Sequence, residues 1–260
     1  MDTEIDFGKT VLDYAIYREG FPPALLVRLK PYGVGIVGQR ILDLGTGTGT
    51  LARQLAQVGA EVTGMDIAEP LLKQARALDI KAKVFVDYKL GKAEDIPLQN
   101  ETQDVIIAGQ CWHWFNPEQA GSECFRVLRN GGTMVICHFD WLPLPGNVVE
   151  ATENLILKHN SKWNMSGGAG IYPRWLEDLA KSGFVSIETF SFDLEIPYTH
   201  ERWCGRIRAS AGVSASLNKE SVHKFDEEHQ ELLVKNFPQE PLLIPHRVWA
   251  VIARKSRSYK

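Results

Sequence analysis

Arg40-Ile-Leu-Asp-Leu-Gly45-Thr-Gly47-Thr-Gly49-Thr-Leu-Ala-Arg53 is a short apolar run that ends just past an acid, then places a glycine at every second position before helical periodicity resumes. It reads as a strand, a tight loop and a helix. Glycine supplies the backbone angles that such a turn requires and lets a bulky ligand approach the main chain without meeting a Cβ. The loop opens onto a helix N-terminus, whose N–H groups favour an anionic or hydrogen-bonding ligand by about 0.3–1 kcal/mol. A nucleotide-like cofactor is therefore expected at the end of the first strand. A dinucleotide fingerprint would carry its third glycine three residues after the second. Thr50 stands at that position, and Gly49 falls one residue earlier. A glycine turn with no ligand is the plain alternative, and three alternating glycines straight after a buried strand make it an uncommon one.

Downstream, Leu51, Leu55 and Val58 share a helical face, and Gly59 closes the helix. A second strand over residues 60–65 ends in Asp66, where a carboxylate can accept both ribose hydroxyls of an adenosine. Pro70 sets the start of the next helix at Ala68 or Glu69. A third strand is expected around residues 82–86, and a fourth over 104–109. Gln110-Cys-Trp-His-Trp-Phe115 then faces the site, because a doubly wound sheet binds its ligand at the carboxyl ends of its strands. A helix over residues 117–128, a turn at Asn130-Gly-Gly132 and a fifth strand over 133–138 follow. Beyond Phe139 the periodicity predicts helices over 148–159 and from Pro173 to Gly183, a strand over 184–194, at least one long polar helix within 198–241, and a last strand over 247–254.

An acid two residues before Gly45, followed by Gly-x-Gly-x-Gly, resembles motif I of the class I S-adenosylmethionine-dependent methyltransferases. Residues 64–76 resemble the second motif of that family, residues 91–98 the segment that holds the adenine ring, and residues 126–136 its arginine, leucine and double-glycine pattern. The likeness is strong over residues 40–139 and extends to the small-molecule branch that includes trans-aconitate and ubiquinone-type methyltransferases. It implies an α/β fold: a doubly wound seven-stranded mixed sheet with an antiparallel final strand, in the Rossmann-like methyltransferase manner. One domain over 1–260 is expected, with a cofactor-binding core at 40–139 and a helical cap from 1–31, 141–172 and 198–238.

The cofactor that the resemblance implies is S-adenosyl-L-methionine, held by Asp43, Gly45, Thr46, Gly47, Gly49, Asp66 and Ile67, with Gln110 at the end of the fourth strand. The family often has a polar acceptor at the position of Lys92, and a lysine only donates. The backbone N–H of Ala93 or Glu94, or the Glu94 carboxylate, is left to read the adenine. Residues 14–22 resemble the entry segment of the small-molecule branch, which implies that Tyr14 or Arg18 closes over the methionine end and that Arg18 meets its carboxylate. An arginine on a solvated helix face is the alternative.

Methyl transfer needs alignment more than acid–base chemistry, so the lack of an obvious base says little. His113 is the candidate base, and an aromatic shelf at Trp112-His-Trp114 is the competing reading. The stretch from Arg202 to Gly212 gathers Arg202, Arg206 and Arg208, which suits an anionic acceptor. On a helix Arg202 and Arg206 share a face while Arg208 points away, so the three meet only if the helix breaks at Gly205. Arg206 is the candidate for the acceptor anion. Six of the seven tryptophans fall in or near the cap and the strand ends, which predicts an apolar or aromatic pocket. For Trp249, inside the last strand, core packing is the reading.

With 29 basic against 32 acidic residues the net charge is −3, and no basic block suits nucleic acid. A small-molecule substrate is expected, in a cytoplasmic monomer or homodimer with no membrane partner. The N-terminus is acidic where a signal peptide is basic, and no apolar run reaches the ~20 residues of a membrane span. The four cysteines show no metal-binding spacing, so they read as buried small hydrophobes and no metal is expected. An NAD-dependent oxidoreductase, or a cofactor-binding protein of the same fold without turnover, are the alternatives.

Overall fold

The computed structural model describes residues 20–256. After a short helix α1 (Pro23–Leu29), β1 (Arg40–Leu44), α2 (Thr50–Gln57), β2 (Glu61–Asp66), α3 (Glu69–Ala82), β3 (Asp87–Leu90) and β4 (Gln103–Gly109) alternate. They are followed by α4 (Pro117–Val127), β5 (Leu128–Trp141), α5 (Val148–His159), α6 (Arg174–Lys181), β6 (Phe184–Tyr198), α7 (His200–Arg208), α8 (Lys219–Asn236) and β7 (Leu242–Lys255). The seven strands form one mixed sheet in the order β3-β2-β1-β4-β5-β7-β6. From β3 to β5 all neighbours are parallel, with Asp43 opposite Gly64 on one side and Ile107 on the other. The chain leaves β1 toward β2 and returns to lay β4 on β1's other edge. A crevice therefore opens between the loops that follow β1 and β4, the place where doubly wound sheets take their ligands. β1 is buried from Ile41 to Leu44, as a central parallel strand covered on both faces must be.

Among the described residues the chain forms two compact units. One comprises residues 20–139, 171–191 and 248–256, and the other residues 140–170 and 192–247. In the first, Leu42, Leu44, Ile106, Ala108 and Met134 from the sheet pack with Trp175, Leu179, Trp249 and Val251. In the second, Val149, Ile156, Tyr198, Trp203, Phe225, Leu233 and Ile244 make a separate core. No helix among the described residues is long and apolar enough to cross a membrane. No cluster among them could hold a metal ion.

Three local expectations are corrected. The third strand lies at 87–90, not 82–86. α3 continues through Ala82 and is closed by Lys83 in the left-handed conformation (φ 56°), and Phe85 is left 82% exposed. Asn130-Gly-Gly132 does not turn the chain between elements. It loops out inside β5, where Gln103 pairs with Leu128 and Val105 with Thr133, a bulge with Gly131 at φ 75°. α7 runs unbroken through Gly205, which is buried, so Arg202, Arg206 and Arg208 are not gathered.

Candidate active site

The loop after β1 needs its glycines for conformation. Gly45, Gly47 and Gly49 have φ of 60°, 56° and 73°, a region that costs other residues roughly 1–2 kcal/mol. Asp66, at the end of β2, holds the loop in place. Its Oδ2 accepts the Gly47 N–H at 2.8 Å and its Oδ1 the Ala68 N–H at 2.9 Å. Both oxygens are thereby engaged by the backbone, and the Ile67 N–H also interacts with the carboxylate. Burial raises its pKa, and the hydrogen bonds from Ala68 and Gly47 oppose that rise.

Asp43, near the carboxyl end of β1, accepts the Thr46 hydroxyl at 2.7 Å and the Ala52 N–H at 3.2 Å, joining the loop to the first turn of α2. Burial pushes its pKa up to about 7, with the nearby Asp66 charge adding and the two hydrogen bonds subtracting. The folded chain therefore keeps a proton on Asp43 between about pH 4 and 7 that the unfolded chain gives up, so this group's contribution to stability falls as pH rises through that window. Asp43→Asn, which removes the titration, should melt higher than the wild type at pH 8, with the difference gone near pH 4. Thermal melts at pH 4, 6 and 8 check this; a wild type at least as stable as the variant at pH 8 contradicts it.

A second layer supports the loop from behind, and the sequence reading missed it. Arg53 pairs with Asp79 (Nε to Oδ1, 2.7 Å) and donates to the Thr48 carbonyl at 2.8 Å. Tyr88 of β3 lies against the glycines: a Cβ on Gly49 would sit 2.1 Å from its hydroxyl, and one on Gly64 2.7 Å from its ring. Burial and the neighbouring Asp79 raise the phenol's pKa. The signal available was the spacing of Asp79, an acid four residues after Ala75 and seven after Leu72 on the apolar face of the helix.

Other expected residues take varied places. Ile67 is 76% exposed beside the buried Asp66 and offers an open apolar face, while Ala93 is buried. The Glu94 carboxylate accepts the Asn116 N–H at 2.8 Å and so secures the entry to α4. Gln110 sits at φ 58° and donates its amide to the Phe139 carbonyl at 2.8 Å. His113 is exposed, with its ring 4.5 Å from that of Trp114 and 5.4 Å from that of His138. His138 is buried, its Nδ1 3.3 Å from the Tyr172 hydroxyl, and Tyr172 stacks on Trp175 at 4.1 Å. His138 and Tyr172 were not singled out in the sequence; 34 residues of chain separate them. Arg206 belongs to the other unit, over the Trp141 ring at 4.8 Å. Tyr14 and Arg18 lie outside the described residues. All four cysteines are buried free thiols, with their pKa values raised by burial.

Residues 42–136 match the protein family described as "Methyltransferase domain". An uncharacterized methyltransferase of Mycobacterium bovis is 35% identical over 133 residues, 51% of this chain and 51% of that one. The chain thus spans about half the length of the first curated relatives it matches. An uncharacterized methyltransferase of Schizosaccharomyces pombe is 27% identical over 240 residues, 90% of this chain and 88% of that one. Among solved structures, phosphoethanolamine N-methyltransferase 2 of Haemonchus contortus, bound to phosphomonomethylethanolamine and S-adenosylhomocysteine, superposes with a TM-score of 0.60 at 20% identity, covering 99% of this chain and 61% of that one. With the strand order and the glycine loop after β1, these likenesses identify the Rossmann-like methyltransferase fold, and residues 42–136 are the part that resembles a methyltransferase domain.

Proposed function

We propose that the protein transfers a methyl group from S-adenosyl-L-methionine to a small-molecule acceptor. The observation that carries this is Asp66: a buried carboxylate at the end of β2 that fixes the glycine loop through Gly47 and keeps acceptor capacity beyond its backbone contacts, beside the exposed face of Ile67. That combination fits vicinal ribose hydroxyls and an aromatic base. When bound, S-adenosylmethionine supplies a methyl group on a positively charged sulfur, open to in-line displacement. The protein's part is alignment, which can supply ~7–11 kcal/mol of a barrier. Gln110 and His113, at the carboxyl end of β4, are the residues we assign to the reacting end.

A carboxylate or an already ionised hydroxyl needs no base. A phenol, with a pKa of about 10, would use His113 to take its proton, a contribution worth ~10²–10⁴ in rate. The phosphoethanolamine enzyme's amine substrate is that protein's own, and nitrogen acceptors belong in the test. We disfavour hydride transfer with NAD because Thr50 stands where the dinucleotide loop requires its third glycine. Release of S-adenosylhomocysteine, measured against a panel of carboxylate, phenol and amine metabolites, tests the proposal. Turnover of one class above background supports it. Cofactor binding without turnover of any would favour the reading as a binding protein of the same fold.

A further inference from the structure

The segment between β3 and β4 forms neither helix nor strand, yet one helix of the same compact unit fixes it along most of its length. It begins beside the acid that holds the glycine loop. Leu90 pairs with Asp66 across the sheet, and the Gly91 N–H donates to the Asp66 carbonyl at 3.0 Å. A base extending outward from a ribose at Asp66 therefore meets residues 91–96 next. Ala93 and Ile96 are buried in the core of the unit, and the Asp95 N–H closes a turn on the Lys92 carbonyl at 3.1 Å.

The helix that fixes this segment is α4. At its start the Asn116 N–H donates to Glu94 Oε1 at 2.8 Å. Roughly ten residues on, about 15 Å along the helix, Arg126 uses all five of its N–H donors. Its Nε donates to Glu123 Oε1 at 2.7 Å, its Nη2 to Glu123 Oε2 at 2.7 Å and the Ile96 carbonyl at 2.8 Å, and its Nη1 to the Leu98 carbonyl and Asn100 Oδ1, each at 2.8 Å. Glu123 Oε2 also accepts the Ile96 N–H at 2.8 Å, so one ion pair grips both backbone groups of Ile96. The guanidinium holds the Glu123 carboxyl below the usual carboxylate range.

A guanidinium with every donor engaged by the protein has none to offer a ligand, so the role of Arg126 is positional. A lysine could keep the charge but not the planar fork that reaches three points of the segment at once. Adenine presents an amine donor beside a ring-nitrogen acceptor, and a 6-oxopurine reverses both. Backbone groups fixed in place satisfy one of these edges and leave polar atoms unpaired against the other, whereas a segment able to shift re-pairs with either. Building on the methyltransferase reading, we propose that Arg126 and Glu123 are positioning residues for the base: by clipping residues 96–100 to α4 they fix the polar groups of residues 92–96 beside Asp66, and so set a preference for adenine over a 6-oxopurine.

S-adenosylhomocysteine and S-inosylhomocysteine, which differ at that edge of the base, are titrated calorimetrically into the full chain. The wild type prefers the adenosyl ligand at least tenfold. Arg126→Lys weakens S-adenosylhomocysteine at least fivefold and S-inosylhomocysteine less than twofold, so the preference narrows. In the S-adenosylhomocysteine complex, amide exchange across residues 92–98 is at least tenfold faster in the variant, while that of residues 45–50 is unchanged. Should Arg126→Lys fail to fold, Glu123→Gln breaks the charge pair, leaves the guanidinium its bonds to Leu98 and Asn100, and moves both readings at least twofold in the same direction. A wild type that binds the two ligands alike, a loss in equal proportion for both, which a merely structural pair would give, or unchanged exchange across 92–98 overturns the inference while leaving cofactor binding intact. Failure of S-adenosylhomocysteine to bind the wild type overturns the methyltransferase reading instead.

Discussion

Replacing Asp66 with alanine should weaken S-adenosylmethionine binding by about 1.5–3 kcal/mol, the range for hydrogen bonds to a charged group, or roughly 10- to 150-fold in Kd. Two losses contribute. The ligand's hydroxyls lose their carboxylate, and the Gly47 and Ala68 N–H groups lose the acceptor that fixes the loop and the entry to α3. Asp66→Asn divides them, because an amide has one acceptor oxygen and can satisfy only one of the two backbone donors. An intermediate affinity is expected for it. Calorimetric titration of folded variants provides the measurement, and an Asp66→Ala affinity equal to wild type would remove Asp66 from the site.

Gly49→Ala should be the most damaging single methyl group in the loop. The residue sits at φ 73°, and the new Cβ would lie 2.1 Å from the Tyr88 hydroxyl and 3.1 Å from the Ala75 Cβ. Left-handed strain of about 1–2 kcal/mol and overpacking of about 1–3 kcal/mol together predict a loss of roughly 2–5 kcal/mol in stability. Only the second part depends on Tyr88. Tyr88→Phe removes the colliding oxygen and leaves ring carbon at 3.0 Å, so it should recover part of the loss and leave the backbone strain. Denaturant unfolding of the four proteins in the cycle tests this. Additive effects would mean that Tyr88 does not cover the loop.

What could be read from the sequence was local. β1, its glycine loop, α2 and β2 are specified by residues within a few positions of one another, and α5 matched its expected limits because Asn147 caps it and Val148, Val149, Leu155 and Ile156 recur at helical spacing. The third strand was misplaced because Lys83 ends α3 in a conformation usually left to glycine, and because β3 exists by pairing with β2, not by its own composition. Asn130-Gly-Gly132 has the residues of a turn, and only the register against β4 makes it a bulge. Glu94 carries a carboxylate suited to an adenine amine, yet its visible partner is the Asn116 N–H, 22 residues away. The contacts among Asp66 and Gly47, Arg53 and Asp79, and Trp141 and Glu153 likewise join separate elements, so no local pattern announces them.

The central claim is that the loop after β1 and Asp66 form a site for S-adenosylmethionine and not for a dinucleotide. Isothermal titration of the wild-type protein with S-adenosylmethionine and, separately, with NADH tests it most directly. The account predicts saturable, micromolar binding of S-adenosylmethionine and no measurable heat from NADH; NADH binding as tightly as S-adenosylmethionine, or no binding of S-adenosylmethionine by the folded protein, would contradict it.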